Sequence, residues 1–371
     1  MNEDMSWMFR ALALAEHGLY STTPNPRVGC VLVKEGICVG EGFHLRAGQP
    51  HAEVMALSAA GEAARGATAY VTLEPCSHFG RTPPCSDALI NAGVIRVVVA
   101  MRDPNPLVSG GGIKRLEAAG IKVDCGVLAE KAGALNIGFV WRHQLGRPFI
   151  RSKIGATLDG KTAVSSGESR WITGEDARID VHRWRARSCA VLTGIGTILE
   201  DNPELTVRHV PTTRQPLRIV VDSSLRFQPD HKMACSGTHV VTLNENIALH
   251  KRFEDRGVII SVVESRSGQV SLDALMALMA RMELNEVLVE AGPTLNGALL
   301  DSGFIDELII YFAPLILKEQ AKGMFTGRPV VQLDQAEAFR FVNTTYMGED
   351  LRVIARRQYS ELLQESGCLP V

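Results

Sequence analysis

The sequence predicts a two-domain α/β protein. Three observations point there. Strand-like apolar runs alternate with helix-like runs through both halves of the chain, the order expected when helices cover a largely parallel sheet. At 371 residues the chain is long enough for two hydrophobic cores without disulfide staples. In "WRHQLGRPF", Gly146 and Pro148 stop a helix and start a short linker. The expected domains are residues 1–146 and 147–371.

In the first half, Ser6 can cap a helix whose apolar positions Trp7, Ala11 and Leu14 recur at helical spacing, with Gly18 at its end. "VGCVLV" and "ICVGEGF", joined by "KEG", read as a hairpin, and "AEVMALSAAGEAA" as a helix. Then come strand "TAYVTL", helix "PCSDALINAG", strand "VIRVVVAM", helix "GIKRLEAAG", strand "IKVDCGV" and a last helix to about His143. This alternation argues a three-layer α/β domain. In the second half, "FIRSKIGA", "CAVLTGI", "LRIVVDSS", "HVVTL", "VIISVV", "EVLVEAG" and "ELIIYFAPLIL" read as strands. "FRFVNTTYMGEDLRVIARR" reads as a hairpin turning at Gly348.

Composition narrows the function. A net charge of −2 argues against a general nucleic-acid binder. No run approaches 18 apolar residues, so no membrane span is expected. The start, "MNEDMSWMFRALALAEHG", has acids where a secretory signal needs bases. The eight cysteines are scattered, unlike a disulfide framework. A cytoplasmic, reducing location is therefore expected, which favours a metal over a disulfide wherever cysteines cluster.

They cluster in "EPCSHFGRTPPC", downstream of "HAEVMAL". Together these read H-x-E, then P-C-x8-C. His51, Cys76 and Cys85 are ligand types that zinc prefers, with a fourth position left for water. Glu53 follows two residues after His51. On one helix the two would face apart, so both reach a metal only if His51 sits at the helix start. Pro50 just before it fits that boundary, and Pro83 and Pro84 suit a helix beginning near Cys85. H-x-E…P-C-x-x-C is the general signature of zinc deaminases, in which the Glu is not a ligand but moves protons. Here C-x8-C replaces C-x-x-C, and the insertion puts His78 and Arg81 on the rim. A closed structural site would need a fourth protein ligand, for which His78 is the nearby candidate.

Asn25, His44 and His78 are candidate substrate contacts, the first two weighed against a plain proline turn and an exposed loop histidine. "DPNPLVSGGG" lies at a strand end, where α/β sheets bind ligands, although three glycines more often make a plain turn. In the second half no G-x-G-x-x-G follows the first strand, so a Rossmann site is not supported. "GPTLNG" follows an apolar strand and opens a helix, a ready place for a cofactor phosphate.

"TPNPRVGCVLV", "HAEVMAL", "EPCSHFGRTPPC", "DPNPLVSGGG", "KIGATLDGKTA", "GESRWITG", "DNPELTVR" and "VEAGPTLNGALL" together closely resemble the bacterial bifunctional riboflavin-biosynthesis deaminase/reductases, in the family's order and over nearly the whole chain. The resemblance implies a cytidine-deaminase-like three-layer domain followed by a dihydrofolate-reductase-like domain. The first would be zinc-dependent and hydrolyse an exocyclic amine of 2,5-diamino-6-(5-phospho-D-ribosylamino)pyrimidin-4(3H)-one. The second would use NADPH to reduce the ribose of the product to a ribityl chain. It implies Lys153 and Glu290 at the reductase centre, with Ser169, Arg185, Leu205, Arg208 and Glu290 on the substrate. It implies Gly155, Trp171, Thr197, Asp201, Ser223 and the segment Gly292, Pro293, Thr294, Leu295, Asn296, Gly297 and Ala298 on NADPH. It also implies a homo-oligomer, a dimer or tetramer. Without it, Arg185 reads as a solvated charge on its helix. The rivals are a deaminase of another nucleoside, nucleotide or tRNA base with an unrelated partner domain, and a non-catalytic zinc protein.

Overall fold

The computed structural model of the chain describes residues 3–77, 83–106 and 108–358. These form two compact units, one ending at Gly146 and the other beginning at Arg147.

The first unit runs α1 (Glu3–Glu16), β1 (Gly29–Lys34), β2 (Ile37–Phe43), α2 (Ala52–Ala60), β3 (Thr68–Val71), α3 (Cys85–Asn91), β4 (Arg96–Val99), α4 (Gly111–Ala118), β5 (Lys122–Cys125), α5 (Ala129–Leu135) and α6 (Ile137–Leu145). The sheet order is β2-β1-β3-β4-β5. β1 is antiparallel to β2 and β3, and the other pairs are parallel. Alternation along each strand makes two cores. Cys30, Leu32, Val71, Val97 and Val99 pack with Ala52, Ala56, Leu89 and Leu116 of α2, α3 and α4. Val31, Val33, Tyr70 and Val98 pack with Met8, Ala11 and Ala132 of α1 and α5. The result is helix, sheet, helix. Gly40 and Gly42 let α2 lie directly on β2, since a Cβ at either position would collide with Ala56 or Met55. That close approach fixes the helix carrying Glu53.

Two expectations for this unit need correcting. α1 begins at Glu3, so Ser6 lies in its first turn and does not cap it. The last helix is two, broken at Asn136. The Asn136 side chain is buried and bonds both the N–H and the carbonyl of Arg27, at 2.8 and 2.9 Å. That pairing outweighs continuing the helix.

The second unit runs β6 (Phe149–Thr157), β7 (Lys161–Ala163), α7 (Glu175–Arg187), β8 (Ala190–Gly194), α8 (Ile195–Asp201), β9 (Leu217–Val221), β10 (Thr238–Thr242), α9 (Ile247–Glu254), β11 (Ile259–Val262), β12 (Ser265–Arg266), β13 (Gln269–Val270), α10 (Leu272–Arg281), β14 (Glu286–Val289), α11 (Pro293–Asp301), β15 (Glu307–Ala313), β16 (Lys322–Gly323), β17 (Phe339–Met347) and β18 (Asp350–Arg357). Nine strands form one sheet, ordered β11-β10-β9-β8-β14-β6-β15-β18-β17. It is parallel from β11 to β15, and β18 and β17 add an antiparallel hairpin. "ELIIYFAPLIL" stops being strand at Ala313, because Pro314 cannot donate to a ladder. β14 inserts between β8 and β6, so the chain reverses its direction of travel across the sheet there. The carboxyl ends at such a reversal are where open α/β sheets bind ligands.

At the opposite strand ends, fully buried Arg151 lies between Glu286 and Glu307, which in turn hold Arg187 and Arg356 at 2.7 and 2.9 Å. Every carboxylate in this row has two cations, so no buried charge is left alone.

Candidate active sites

In the first unit, His51 is the residue just before α2, with extended backbone at φ −72° and ψ 165°. Its ring can therefore leave the helix axis while Glu53 points inward from the first turn. α3 begins at Cys85, with Pro84 before it. The Cys85 N–H donates to Cys76 Sγ at 3.3 Å, and Ser86 Oγ donates to the Cys76 carbonyl at 3.1 Å. Cys76 is thereby held against the start of α3. His51 Nδ1 lies 3.3 Å from Cys85 Sγ and 3.8 Å from Cys76 Sγ. The three ligand atoms fall within 4.8 Å of one another. One imidazole and two thiols at this spacing suit zinc.

The electrostatics agree. Cys76 is drawn down to about 4 by hydrogen bonds from the Cys85 thiol, His51 and the Cys85 N–H, which outweigh burial. Cys85 is pushed up by donating to Cys76 and by burial. The hydrogen bonds therefore favour the anionic form of Cys76 in this cluster. Glu53 is buried, and desolvation raises its carboxyl to about 7.

Asn25 and His44 come to this site. His44 is buried and its ring meets that of His51 edge-on at 5.3 Å. His44 Nδ1 donates to the Pro50 carbonyl at 3.1 Å, since a carbonyl only accepts. Its Nε2 must then accept from Asn25 Nδ2 at 3.0 Å. His78 and Arg81 lie outside the described residues.

Glu74 gave no sequence signal beyond its place before Pro75-Cys76. It is buried, and its carboxylate accepts four backbone N–H groups: Asp103 at 3.2, Gly110 at 3.0, Gly112 at 3.0 and Ile113 at 3.2 Å. The glycine turn of "DPNPLVSGGG" thus wraps an internal carboxylate, not a ligand phosphate. Gly112 is required because a Cβ there would strike the Pro75 carbonyl.

In the second unit, Lys153 of β6 and Glu290, just past β14, lie on neighbouring parallel strands. Lys153 Nζ is 3.0 Å from Glu290 Oε2. Arg185, in the last turn of α7, takes the same carboxylate at 2.5 and 3.0 Å and donates to the Thr206 carbonyl at 3.0 Å. Burial alone would raise Glu290, but Arg185 and Lys153 outweigh it and hold the carboxyl well below its ordinary value. Leu205 is buried with φ +51°. A left-handed leucine costs about 1–2 kcal/mol, so its neighbours hold the loop in place. Arg208 is half exposed and turned back on Glu204 at 2.9 Å.

The remaining positions spread along the carboxyl end of the sheet. Gly155 faces Thr173, and Ser169 accepts the N–H of Ile172 at 3.2 Å. Trp171 is exposed beneath the Arg178 guanidinium, 4.6 Å from the ring centre. It forms one wall of a cleft of about 520 Å³ that also includes Ala313 and Asp350. Thr197 and Asp201 are on α8, and Asp201 holds Arg170 at 3.2 Å. The N-terminus of α11, from Gly292 through Pro293, Thr294 and Leu295, opens beside Gly194, where a Cβ would meet Leu295 at 3.6 Å. Ala298 is exposed on the same helix. Two of the expected contacts have side-chain roles inside the fold. Asn296 is buried, accepting from Ser152 at 2.7 Å and donating to the Ala291 carbonyl at 2.8 Å. The Ser223 hydroxyl lies between Gln269 and the Val270 N–H, at 3.1 and 3.0 Å. Gly297 packs so tightly on Thr326 that a Cβ would collide with its carbonyl.

Residues 148–353 match the family model "RibD C-terminal domain", and residues 1–101 match "Cytidine and deoxycytidylate deaminase zinc-binding region". The riboflavin biosynthesis protein RibD of Escherichia coli (strain K12) is 48% identical over 363 residues, covering 94% of this chain and 98% of the relative. RibD of Aquifex aeolicus is 42% identical, covering 95% and 98%. Among solved structures, Acinetobacter baumannii RibD superposes with TM-score 0.90 at 43% identity, covering 96% and 99%. A diaminohydroxyphosphoribosylaminopyrimidine deaminase/5-amino-6-(5-phosphoribosylamino)uracil reductase from Thermotoga maritima gives 0.85 at 33% identity, with the same coverage.

Proposed function

The chain belongs to the RibD family of riboflavin-biosynthesis proteins, and from that premise we propose how its residues divide the work. It is a bifunctional enzyme, a zinc-dependent deaminase joined to an NADPH-dependent reductase. We assign deamination to residues 1–146 and reduction to residues 147–371. The deaminase substrate is the diaminopyrimidine carrying a phosphoribosylamino group. The reductase substrate is the deaminated product, whose ribose becomes a ribityl chain. The observation that carries the reading is the meeting of His51, Cys76 and Cys85 beside the buried carboxyl of Glu53.

Zinc, when bound by His51, Cys76 and Cys85, supplies Lewis-acid activation of water. Glu53 moves two protons from the attacking water in turn, one to the ring nitrogen and one to the amine, which leaves as ammonia when its C–N bond breaks. Asn25 and His44 border the base. Because His44 holds one N–H of the Asn25 amide, the Asn25 carbonyl oxygen is left to accept from the substrate. In the reductase, NADPH supplies a hydride. Reduction of the ribose carbon breaks its bond to the ring oxygen; hydride goes to carbon and a proton to oxygen. Lys153, held by Glu290, is the proton-holding group we assign at that centre. Arg185 and Arg208 supply guanidinium groups suited to a phosphate, with Ser169 and Leu205 beside them. The cofactor lies along Gly155, Trp171, Thr197, Asp201, Ser223 and the start of α11, where free backbone N–H groups suit a cofactor phosphate.

No helix of the described residues is long and apolar enough to cross a membrane. We assign the enzyme to the cytoplasm, as a homo-oligomer acting on small molecules. The experiment is metal analysis with product mass for Glu53→Ala. Retained zinc with lost deamination supports the assignment. Retained turnover overturns it.

A further inference from the structure

The loop Leu205–Arg208 is gripped by its backbone. Arg185 donates to the Thr206 carbonyl at 3.0 Å. Gln215 clamps Val207 from both sides, accepting its N–H at 2.7 Å and donating to its carbonyl at 3.0 Å. His182, three residues before Arg185 on α7, accepts the Arg208 N–H on Nδ1 at 3.0 Å. A backbone N–H only donates, so this bond exists only while Nδ1 carries no proton.

The surroundings keep it so. His182 is buried, its ring edge-on to His209 at 4.6 Å. Burial, then Arg185, His209 and Arg208, pull it down to about 4, against a small opposing pull from Glu290. It is thus a fixed neutral acceptor within a cationic patch. The Arg208 head reaches Glu204 and Thr206, while its own main-chain N–H is held by His182, next to the Gln215 clamp on Val207.

We propose that His182 is a positioning residue of the reductase, holding Arg208 by its main chain so that the guanidinium meets the phosphate of the substrate. The proposal rests on reading the second unit as the reductase and Arg208 as a phosphate contact. His182 is buried and would act through Arg208, so its removal should raise KM for the phosphorylated substrate and leave kcat and KM for NADPH in place.

The test uses the full chain and two isosteres. Asparagine puts an amide oxygen near the position of Nδ1; glutamine puts its polar atoms near Nε2 and leaves the Arg208 N–H without an acceptor. Reduction is assayed on the deaminated phosphoribosylaminopyrimidine and on the same compound without phosphate, with Arg208→Ala in parallel. His182→Gln is expected to raise KM for the phosphorylated compound about tenfold, His182→Asn to stay within about threefold of wild type, and neither to change KM for the dephosphorylated compound. An unchanged KM in His182→Gln, or an equal rise on both compounds, overturns the proposal. Arg208→Ala separates the two levels. If it raises KM for the phosphorylated compound and His182→Gln does not, only the role of His182 is lost. If it has no effect, the phosphate reading of Arg208 falls and the proposal with it.

Discussion

Glu290 Oε2 lies 3.0 Å from Lys153 Nζ, and Arg185 takes the other oxygen of the same carboxylate at 2.5 Å. One buried anion therefore fixes two cations on different elements. Glu290→Gln keeps the shape and removes the charge. Its reductase kcat is expected to fall by about 10²-fold or more, with deamination unchanged. Glu290→Ala leaves two cations facing each other and is expected to destabilise the second unit by about 3 kcal/mol. Separate product assays and thermal unfolding read the two effects.

Glu53 is buried beside the ligand atoms, and we assign it proton transfer, not metal binding. Glu53→Ala should keep one zinc per chain and lose deamination by about 10²–10⁴-fold. Reduction of added deaminated substrate should be normal. A variant that loses zinc as well would make Glu53 part of the metal site.

Cys76 is one of the two cysteines we assign to the zinc. Cys76→Ser, or treatment with a strong chelator, should abolish deamination while NADPH-dependent reduction survives. Loss of both activities together would contradict independent sites.

Glu74 should matter as much as a ligand. Glu74→Ala leaves four backbone N–H groups without their acceptor, an expected cost of about 3 kcal/mol or more. Urea unfolding measures it. A loss under about 1 kcal/mol would mean that water replaces the carboxylate.

Acid should weaken the second unit in two steps. His182 is depressed from 6.5 to about 4, mainly by burial, so the unfolded chain takes its proton first and stability declines as pH falls below 6.5. Glu307 follows. Burial would raise it, but Arg151 and Arg356 outweigh burial and lower it from 4.5. The stability it contributes is present above 4.5 and lost as pH falls further. Urea midpoints between pH 7 and 4 trace both steps, and His182→Asn should shrink the first, to which His239, also lowered by burial, contributes.

Much of this was legible in the sequence because the signals are local. His51 before α2 and Cys85 at the start of α3 follow from flanking prolines, and strand alternation marked both faces of the first sheet. What was hidden depends on partners far along the chain. Asn136 breaks a helix to bind Arg27, 109 residues away. Glu74 looks like an ordinary strand-end acid until the N–H groups of Asp103, Gly110, Gly112 and Ile113 converge on it. Arg185 reads as one of several helix arginines until β14 delivers Glu290, 105 residues on. His182 has no spacing or motif, and only the loop it holds reveals it.

The central claim is that one chain performs two ordered reactions at separate centres. The most direct test follows product mass from the diaminopyrimidine ribose phosphate, with and without NADPH, in wild type and Glu290→Gln. The account predicts exchange of one amino group for oxygen without NADPH in both proteins. Two hydrogens should then be gained only with NADPH and only efficiently in wild type. Deamination that required NADPH, or reduction undiminished in Glu290→Gln, would contradict it.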